Sequence, residues 1–221
     1  FNCLGRDIYT IHNFQALKPD VVLLQESPLP SITHELSQEI FGENGNTLKI
    51  GDSTLMTHGM IHASTPDIDQ RYFLPAHITF ASGKEIQVVS LHLQVPQLCY
   101  NLHQPSCWAR QKQSLFTRMQ QTQNVVNYIQ QHFDLSVPTF IAGDFNSVPG
   151  SPVYAPLKPF FRDAFRIAGI GWGDTYSTQL PLVRIDQIWV NDGFKPLTVH
   201  ALYATMSDHR PVLGDLFFTK K

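Results

Sequence analysis

The sequence predicts a mixed α/β (α+β) fold in which two sheets lie face to face and helices cover their outer surfaces. The first observation is a set of short apolar segments that end at polar residues, as strands do. They span residues 20–25, 71–80, 86–92, 137–142, 184–190, 197–203 and 211–218. The second observation is that several of them are apolar without interruption, which is typical of buried strands. The third is that helical periodicity is confined to three segments, so strands outnumber helices.

Each helical segment has its own signal. An apolar residue recurs every three positions from Ile8, and Pro19 ends that helix because proline cannot continue it. A second helix is predicted over residues 32–40, after Ser31, a residue type that favours the N-cap position. The longest helix runs from about 108 to 133 and leaves a face of Gln, Lys, Arg and Asn to water.

Length and charge limit the classes of protein that fit. The 221 residues contain no repeat or long linker, so we expect one domain over residues 1–221. Only 15% of residues are charged and the net charge is −2. These values argue against a disordered chain and against a protein that holds nucleic acid by a broad basic surface. No apolar run approaches the roughly 18 residues of a membrane span, so we expect a soluble protein, and we expect a monomer.

The three cysteines do not decide whether the protein works in a reducing or an oxidising cellular compartment. Cys3 lies in an apolar start and is typical of a buried thiol. Cys99 and Cys107 flank a short polar loop, a spacing that suits either a disulfide or two thiols. A disulfide would imply an oxidising compartment, secreted or periplasmic. The aromatic and imidazole side chains of the 97–108 insert would either contact a substrate or pack within their own loop.

The polar residues that suggest chemistry stand where strands end, because a rigid scaffold holds them there within reach of solvent. Glu26 directly follows a buried strand. A carboxylate in that place suits Mg²⁺, which takes oxygen ligands and usually needs one or two protein carboxylates. The alternative is a charge that only marks the strand end.

A second strand end carries Asp144 and Asn146, which lie two apart on an extended chain and point to the same side. A carboxylate there can hold or deprotonate a water, and an amide can donate to a phosphoryl oxygen. Ordinary turn chemistry before Pro149 and Gly150 is the alternative interpretation.

Two further segments offer a carboxylate and an imidazole that can act together. Asp186 lies in an apolar strand, where an acid is costly without a partner. His209 would supply that partner, and its other ring nitrogen would then face a substrate. His92, at the end of another strand, is a second candidate, although a lone histidine there is more often structural.

Five motifs in this order carry a resemblance. They are Leu-Gln-Glu ending at Glu26, Ser-Leu-His-Leu around His92, Gly-Asp-Phe-Asn around Asp144, Arg-Ile-Asp ending at Asp186, and Ser-Asp-His-Arg-Pro-Val around His209. The set spans nearly the whole chain and resembles the endonuclease/exonuclease/phosphatase superfamily of metal-dependent phosphoesterases. The resemblance implies a DNase I-like, four-layer α/β/β/α sandwich of two mainly antiparallel sheets, with the site at one end of both sheets.

The resemblance also implies roles for single residues. Glu26 would be the principal Mg²⁺ or Mn²⁺ ligand, and Asn2 and Asp208 would lie near the metal. Asp144 would position or deprotonate the attacking water.

Substrate contacts follow from the same resemblance. Asn146 and His92 would hold the phosphoryl oxygens, with Arg71 as a further phosphate-facing candidate. His209, paired with Asp186, would stabilise charge in the transition state or transfer a proton.

We therefore expect hydrolysis of a phosphoester by in-line attack of a water that the metal and Asp144 position. The motifs do not name the substrate, which is nucleic acid, a phospholipid or a small phosphodiester. The low positive charge argues slightly against duplex DNA. The alternative is a binding or scaffolding protein that keeps the fold without catalysis, and such a protein would be expected to have lost one of these acids or imidazoles.

Overall fold

The computed structural model of the protein describes residues 1–63, 72–97, 101 and 103–219. Six strands form the larger sheet in the order β4-β5-β6-β7-β9-β8. Neighbouring strands are antiparallel except β6 and β7, which are parallel. The strands are β4 (Met60–Ala63), β5 (Phe73–Thr79), β6 (Glu85–His92), β7 (Thr139–Asp144), β8 (Arg162–Asp163) and β9 (Asp186–Val190).

Two smaller sheets lie against one face of the larger one. The first has the order β1-β3-β2, from β1 (Val21–Leu24), β2 (Asn46–Ile50) and β3 (Ser53–Thr57). The second pairs β10 (Phe194–Ala201) with β11 (Val212–Phe218). Apolar side chains from all three sheets form one buried core between the layers, for example Leu55, Val88 and Val199. A cavity of about 540 Å³ is lined by residues of both β1 and β11, among them Leu23 and Leu216.

Helices cover the outer faces. The first group is α1 (Ile8–His12), the 3-10 turn Asn13–Leu17 and α2 (Pro30–Phe41), and it packs on the three-stranded sheet. The long helix α3 (Pro105–His132) packs on the six-stranded sheet through Val126 and Ile129, and α4 (Ala164–Ala168) follows β8. The order of layers is therefore helix, sheet, sheet, helix, which confirms the predicted four-layer fold.

The structure adds to and corrects the predicted elements. All seven predicted strands are present within a few residues, but β2, β3, β4 and β8 were not predicted. Ser31 is not the N-cap of α2, because the helix begins at Pro30 and Leu29 takes the cap position. Proline suits the first helical turn, where a backbone N–H would have no partner in the helix.

Some predictions lie outside the described residues. Arg71 and Cys99 are among them, so the phosphate role of Arg71 and the pairing of Cys99 stay predictions. Cys3 is a buried free thiol, as predicted. No helix in the described part of the chain is long and apolar enough to cross a membrane.

Candidate active site

Three adjacent strand ends bring the first candidate side chains together. In the parallel pair β6–β7, His92 lies opposite Asp144, and in the antiparallel pair β7–β9, Asp144 lies opposite Asp186. Gly143 permits this close pairing. It has φ +143°, and a Cβ at this position would lie 2.0 Å from the carbonyl oxygen of Leu91. The local sequence therefore needs glycine immediately before the central carboxylate.

One atom, Oδ2 of Asp144, lies at the centre of the site. It accepts hydrogen bonds from the amide of Asn2 at 3.2 Å and from that of Asn146 at 3.3 Å. The Nε2 atoms of His209 and His92 lie 3.8 and 3.9 Å from it. Those two distances are longer than a direct hydrogen bond. Four nitrogen donors from four separate segments thus face one carboxylate oxygen.

Each imidazole has its other nitrogen on a second carboxylate. Nδ1 of His209 lies 2.9 Å from Oδ2 of Asp186, the predicted pair. Nδ1 of His92 lies 2.7 Å from Oδ2 of Asp52. Asp52 stands in the turn between β2 and β3, and the sequence did not identify it. Both rings are oriented in the same way, with Nε2 directed toward Asp144.

Glu26 faces the centre from the second layer. It follows β1 with φ +47°, a backbone conformation that L-residues rarely adopt and that redirects the chain at this point. Its Oε1 accepts from the amide of Asn2 at 3.1 Å and lies 3.9 Å from Nε2 of His92. Asn2 reaches this place because it pairs with Gln25 as a parallel bridge. Its amide nitrogen therefore lies between the carboxylates of Glu26 and Asp144.

A buried acid fixes the loop 205–209, which carries Asp208 and His209. Asp7, fully buried, accepts from the backbone N–H groups of Met206 at 2.9 Å and Ser207 at 3.0 Å. The hydroxyl of Ser207 donates to the carbonyl oxygen of Asn2 and accepts from the N–H of His209. The positions of Asn2 and His209 are thereby tied together.

Burial and mutual charge change the pKa values in the site. Burial and the Asp186 carboxylate raise the pKa of Asp144 to about 6, although His209 and His92 oppose the rise. Burial alone would lower the pKa of His209, but Asp186, Asp144 and Asp208 raise it to about 9. Burial likewise opposes the protonation of His92, yet its hydrogen bond to Asp52 raises its pKa above the ordinary value. The site therefore favours additional positive charge.

Several donor atoms fit a divalent cation. Carboxylates dominate, and oxygen is the ligand atom that Mg²⁺ prefers. Buried oxygens of Asp186 and Asp208 (Oδ1 in each) have no hydrogen-bond partner among the described residues. Asp144, Asp186 and His209 also offer ligand atoms that all lie within 4.8 Å of one another. Several carboxylates lie close together here, and two of them have a buried oxygen without a hydrogen bond. Their charges are better compensated with a cation bound than without one.

The predicted residues that the structure describes lie around Asp144, with two differences in detail; Arg71 is outside the described residues. Both amide contacts of Asn146 go to protein oxygens, one to Asp144 and one to the carbonyl of Leu93 at 2.9 Å. Its role as a phosphoryl donor stays a prediction. The oxygen of Asn2 accepts from the N–H of Leu4 at 3.2 Å, so its role near a metal also stays a prediction.

Comparison with known proteins gives a family and a fold. The family model described as the endonuclease/exonuclease/phosphatase family matches residues 1–209. No curated protein sequence matches the chain.

Three solved structures illustrate the likeness. A protein of the same family from Bacteroides thetaiotaomicron has a TM-score of 0.72 and 15% identity, covering 97% of this chain and 89% of that one. A mannosyl-6-phosphatase from the same organism has a TM-score of 0.69 and 16% identity, covering 96% and 91%. D. rerio TDP2, complexed with a single-strand DNA product, has a TM-score of 0.64 and 18% identity, covering 99% and 94%. At these identities the likeness shows the fold.

Proposed function

The chain belongs to the endonuclease/exonuclease/phosphatase family, and from that premise we propose that it hydrolyses a phosphoester bond with Mg²⁺ or Mn²⁺. One observation carries the proposal. Two imidazoles, each oriented by its own carboxylate, direct Nε2 toward the same oxygen of Asp144, at 3.8 and 3.9 Å. An arrangement with oriented acid–base groups on both sides of a carboxylate suits attack on phosphorus by a water.

The metal would be held by Glu26, with Asp208 as a second ligand and Asn2 beside it. When bound, a divalent ion withdraws charge from the phosphoryl or leaving oxygen and offsets the excess of carboxylates. The unpaired buried oxygen of Asp208 supports the assignment of Asp208. The ligand atoms that lie within 4.8 Å of one another belong instead to Asp144, Asp186 and His209, so this trio is the alternative place for the ion.

The protein side chains would do the remaining work. Asp144 would hold the attacking water and accept its proton, and its pKa of about 6 leaves it mostly ionised at neutral pH. His209, with a pKa of about 9, would be charged and would stabilise the developing negative charge on the phosphoryl oxygens. His92 would contact the phosphoryl group from the other side. Asn146 would position Asp144 through its backbone N–H, which donates to Oδ1 at 2.8 Å.

The test is hydrolysis of bis-p-nitrophenyl phosphate with Mg²⁺, with Mn²⁺ and with excess EDTA. We expect metal-dependent turnover that EDTA abolishes. Asp144→Asn should lower kcat/KM by about 10²–10⁴-fold, the usual contribution of a general base. Asp192→Asn is the matched control, because the side chain of Asp192 is 94% exposed on the protein surface, and it should retain wild-type activity.

Near-normal turnover by a folded Asp144→Asn protein would refute the assigned role. The absence of metal-dependent turnover on bis-p-nitrophenyl phosphate, plasmid DNA, oligo(A), sphingomyelin and phosphoinositides would favour the binding or scaffolding alternative. Circular dichroism of each variant separates loss of catalysis from loss of fold.

A further inference from the structure

The segment that joins α4 to β9 exposes an unusual number of large apolar side chains. Four of them, Ile170, Trp172, Leu180 and Leu182, are each more than half exposed, and we call them the apolar tip. Residues 167–183 contain one charged residue, Asp174. Apolar side chains clustered on a surface in this way usually mark a contact site.

Hydrogen bonds hold the apolar tip in one arrangement. Tyr176 and Val183 form an antiparallel bridge, and the N–H groups of Leu182 and Val183 both donate to the carbonyl oxygen of Tyr176. The indole Nε1 of Trp172 donates to the carbonyl oxygen of Pro181 at 3.0 Å. Trp172 therefore lies against the turn that carries the two leucines. Because its polar atom is already satisfied, the ring can enter an apolar medium at low cost.

The base of this segment is bonded to the catalytic loop. Tyr176 forms an isolated bridge with His209, and their ring centroids are 5.1 Å apart. Thr178 donates its N–H to the carbonyl oxygen of Asp208 and its hydroxyl to that of Ser207, each at 2.8 Å. A surface that engages the apolar tip would thus lie directly beside the candidate active site.

We propose that the apolar tip inserts into the surface of a phospholipid bilayer and that the substrate is the phosphodiester of a membrane phospholipid. This inference rests on the proposed phosphoesterase function and names its substrate class. Trp and Leu gain free energy at the boundary between headgroups and acyl chains. The phosphodiester of a phospholipid lies at that same boundary, so shallow insertion brings it to the level of His209.

Charge favours a lipid surface over nucleic acid. Binding to a phosphate backbone depends on Lys and Arg, and residues 167–183 contain neither. Of the nearby arginines, Arg184 is buried in an ion pair with Asp163, and Arg210 donates to the carbonyl oxygen of Thr178. Hydrogen bonds of the N–H groups of Ile170, Leu182 and Val183 lower the cost of shallow insertion, since backbone groups that enter an apolar medium must be paired.

Vesicle binding tests the proposal independently of catalysis. The variant is Leu180→Ser/Leu182→Ser, and the matched control is Met60→Ser. Met60 is exposed to the same extent but lies on β4, at the opposite edge of the six-stranded sheet from β8 and β9. We expect wild type and Met60→Ser to cosediment with phosphatidylcholine vesicles. The partition coefficient of the double variant onto the vesicles should be lower by at least about tenfold.

Activity gives the second readout. Hydrolysis of sphingomyelin, phosphatidylcholine or phosphatidylinositol in the same vesicles should fall by about the same factor in the double variant. Hydrolysis of soluble bis-p-nitrophenyl phosphate should not change. A blue shift of tryptophan emission on addition of vesicles, lost in Trp172→Phe, would place the indole in the bilayer.

Two results would overturn the proposal: wild-type protein that does not bind vesicles, or a folded double variant that binds as well as wild type. A third result would also overturn it: wild-type protein self-associates in gel filtration and does not bind vesicles, and the double variant no longer self-associates. The apolar tip would then be a contact between protein molecules. Failure of the proposed function is distinguishable, because it removes metal-dependent turnover of the soluble diester and leaves vesicle binding unaffected.

Discussion

Replacing Asp7 with alanine tests whether one buried carboxylate holds the loop 205–209 onto the first helix. Asp7 is fully buried and caps α1, where it accepts from the N–H of Thr10 at 3.1 Å and from its hydroxyl at 2.8 Å. The same side chain accepts from the N–H groups of Met206 and Ser207 in the loop 205–209. Two segments separated by about 200 positions thus share one acceptor.

The magnitude follows from these four hydrogen bonds. Alanine leaves the N–H groups of Met206 and Ser207 without an acceptor, at about 1–3 kcal/mol each. Loss of the helix cap costs about 1 kcal/mol more. Because the side chain of Met206 is exposed and water can reach part of this loop, we expect a total loss of about 3–5 kcal/mol of unfolding free energy. For a chain of this length the melting temperature would fall by roughly 10–15 °C.

Urea unfolding measures the effect, with Asp192→Ala as the control. Asp192 forms an ion pair with Arg162 at the surface, and its loss should cost less than about 1 kcal/mol. A loss of less than about 1 kcal/mol in Asp7→Ala would refute the reasoning, because it would mean that water replaces the carboxylate fully.

The dependence on pH gives a second check. Burial alone would raise the pKa of Asp7, but hydrogen bonds from Met206, Ser207 and Thr10 together lower it. An acid with a lowered folded-state pKa stabilises the fold fully above its unfolded pKa of about 3.9. That contribution is lost as pH falls through the folded-state pKa. The stability difference between wild type and Asp7→Ala should therefore shrink on acidification, and a difference that grows would contradict the argument.

Two further predictions concern the residues around Asp144. In metal-free protein, Asp52→Asn should lower the pKa of His92, because the carboxylate at 2.7 Å raises that pKa. An NMR titration of the His92 imidazole measures the change, and an unchanged pKa would rule out the pairing. Gly143→Ala should abolish soluble folded protein, whereas Gly83→Ala should cost only about 1–2 kcal/mol. Both glycines have positive φ, but of the two only Gly143 has backbone atoms where a Cβ would lie. Equal melting temperatures for the two variants would contradict the prediction, because they would show that the chain relaxes around the clash.

The sequence predicted the elements whose signal is local. The apolar runs that became β1, β6 and β7 show their burial directly, because both faces of these strands are covered. The strand β3 gave no such signal although all five of its residues are buried. Three of the five are Ser or Thr. The hydroxyl of Ser53 bonds to the neighbouring Asp52, but those of the two threonines find partners that only the fold supplies. Thr57, for example, donates to the carbonyl oxygen of Asp20, and Thr54 donates to the hydroxyl of Ser27.

The residues of the candidate site likewise fall into two groups, those with a local sequence signal and those without one. Glu26, Asp144 and His209 were identifiable because each lies within a recognisable motif at a strand end. Asp52 and Asp7 were not, since one stands in an ordinary turn and the other before a short helix. Each matters because of a partner 40 or about 200 positions away. Pairings over such separations are set by strand register and loop packing, and local residue patterns do not encode them.

Low overall charge and the apolar tip both favour a substrate that is part of a bilayer. Only 15% of the residues are charged, so long-range attraction cannot concentrate an anionic polymer at this surface as a basic protein would. His92 and His209 are bonded to carboxylates. The basic side chains of Arg210 and Lys49 next to the site donate to backbone oxygens of Thr178 and Ser27. A substrate must then be brought close by another force. The hydrophobic effect can do this for a phosphodiester that is part of a bilayer, because partitioning of the apolar tip raises the local concentration of substrate without any cation. On this reasoning, raising the salt concentration should weaken vesicle binding far less than it weakens proteins that depend on basic patches.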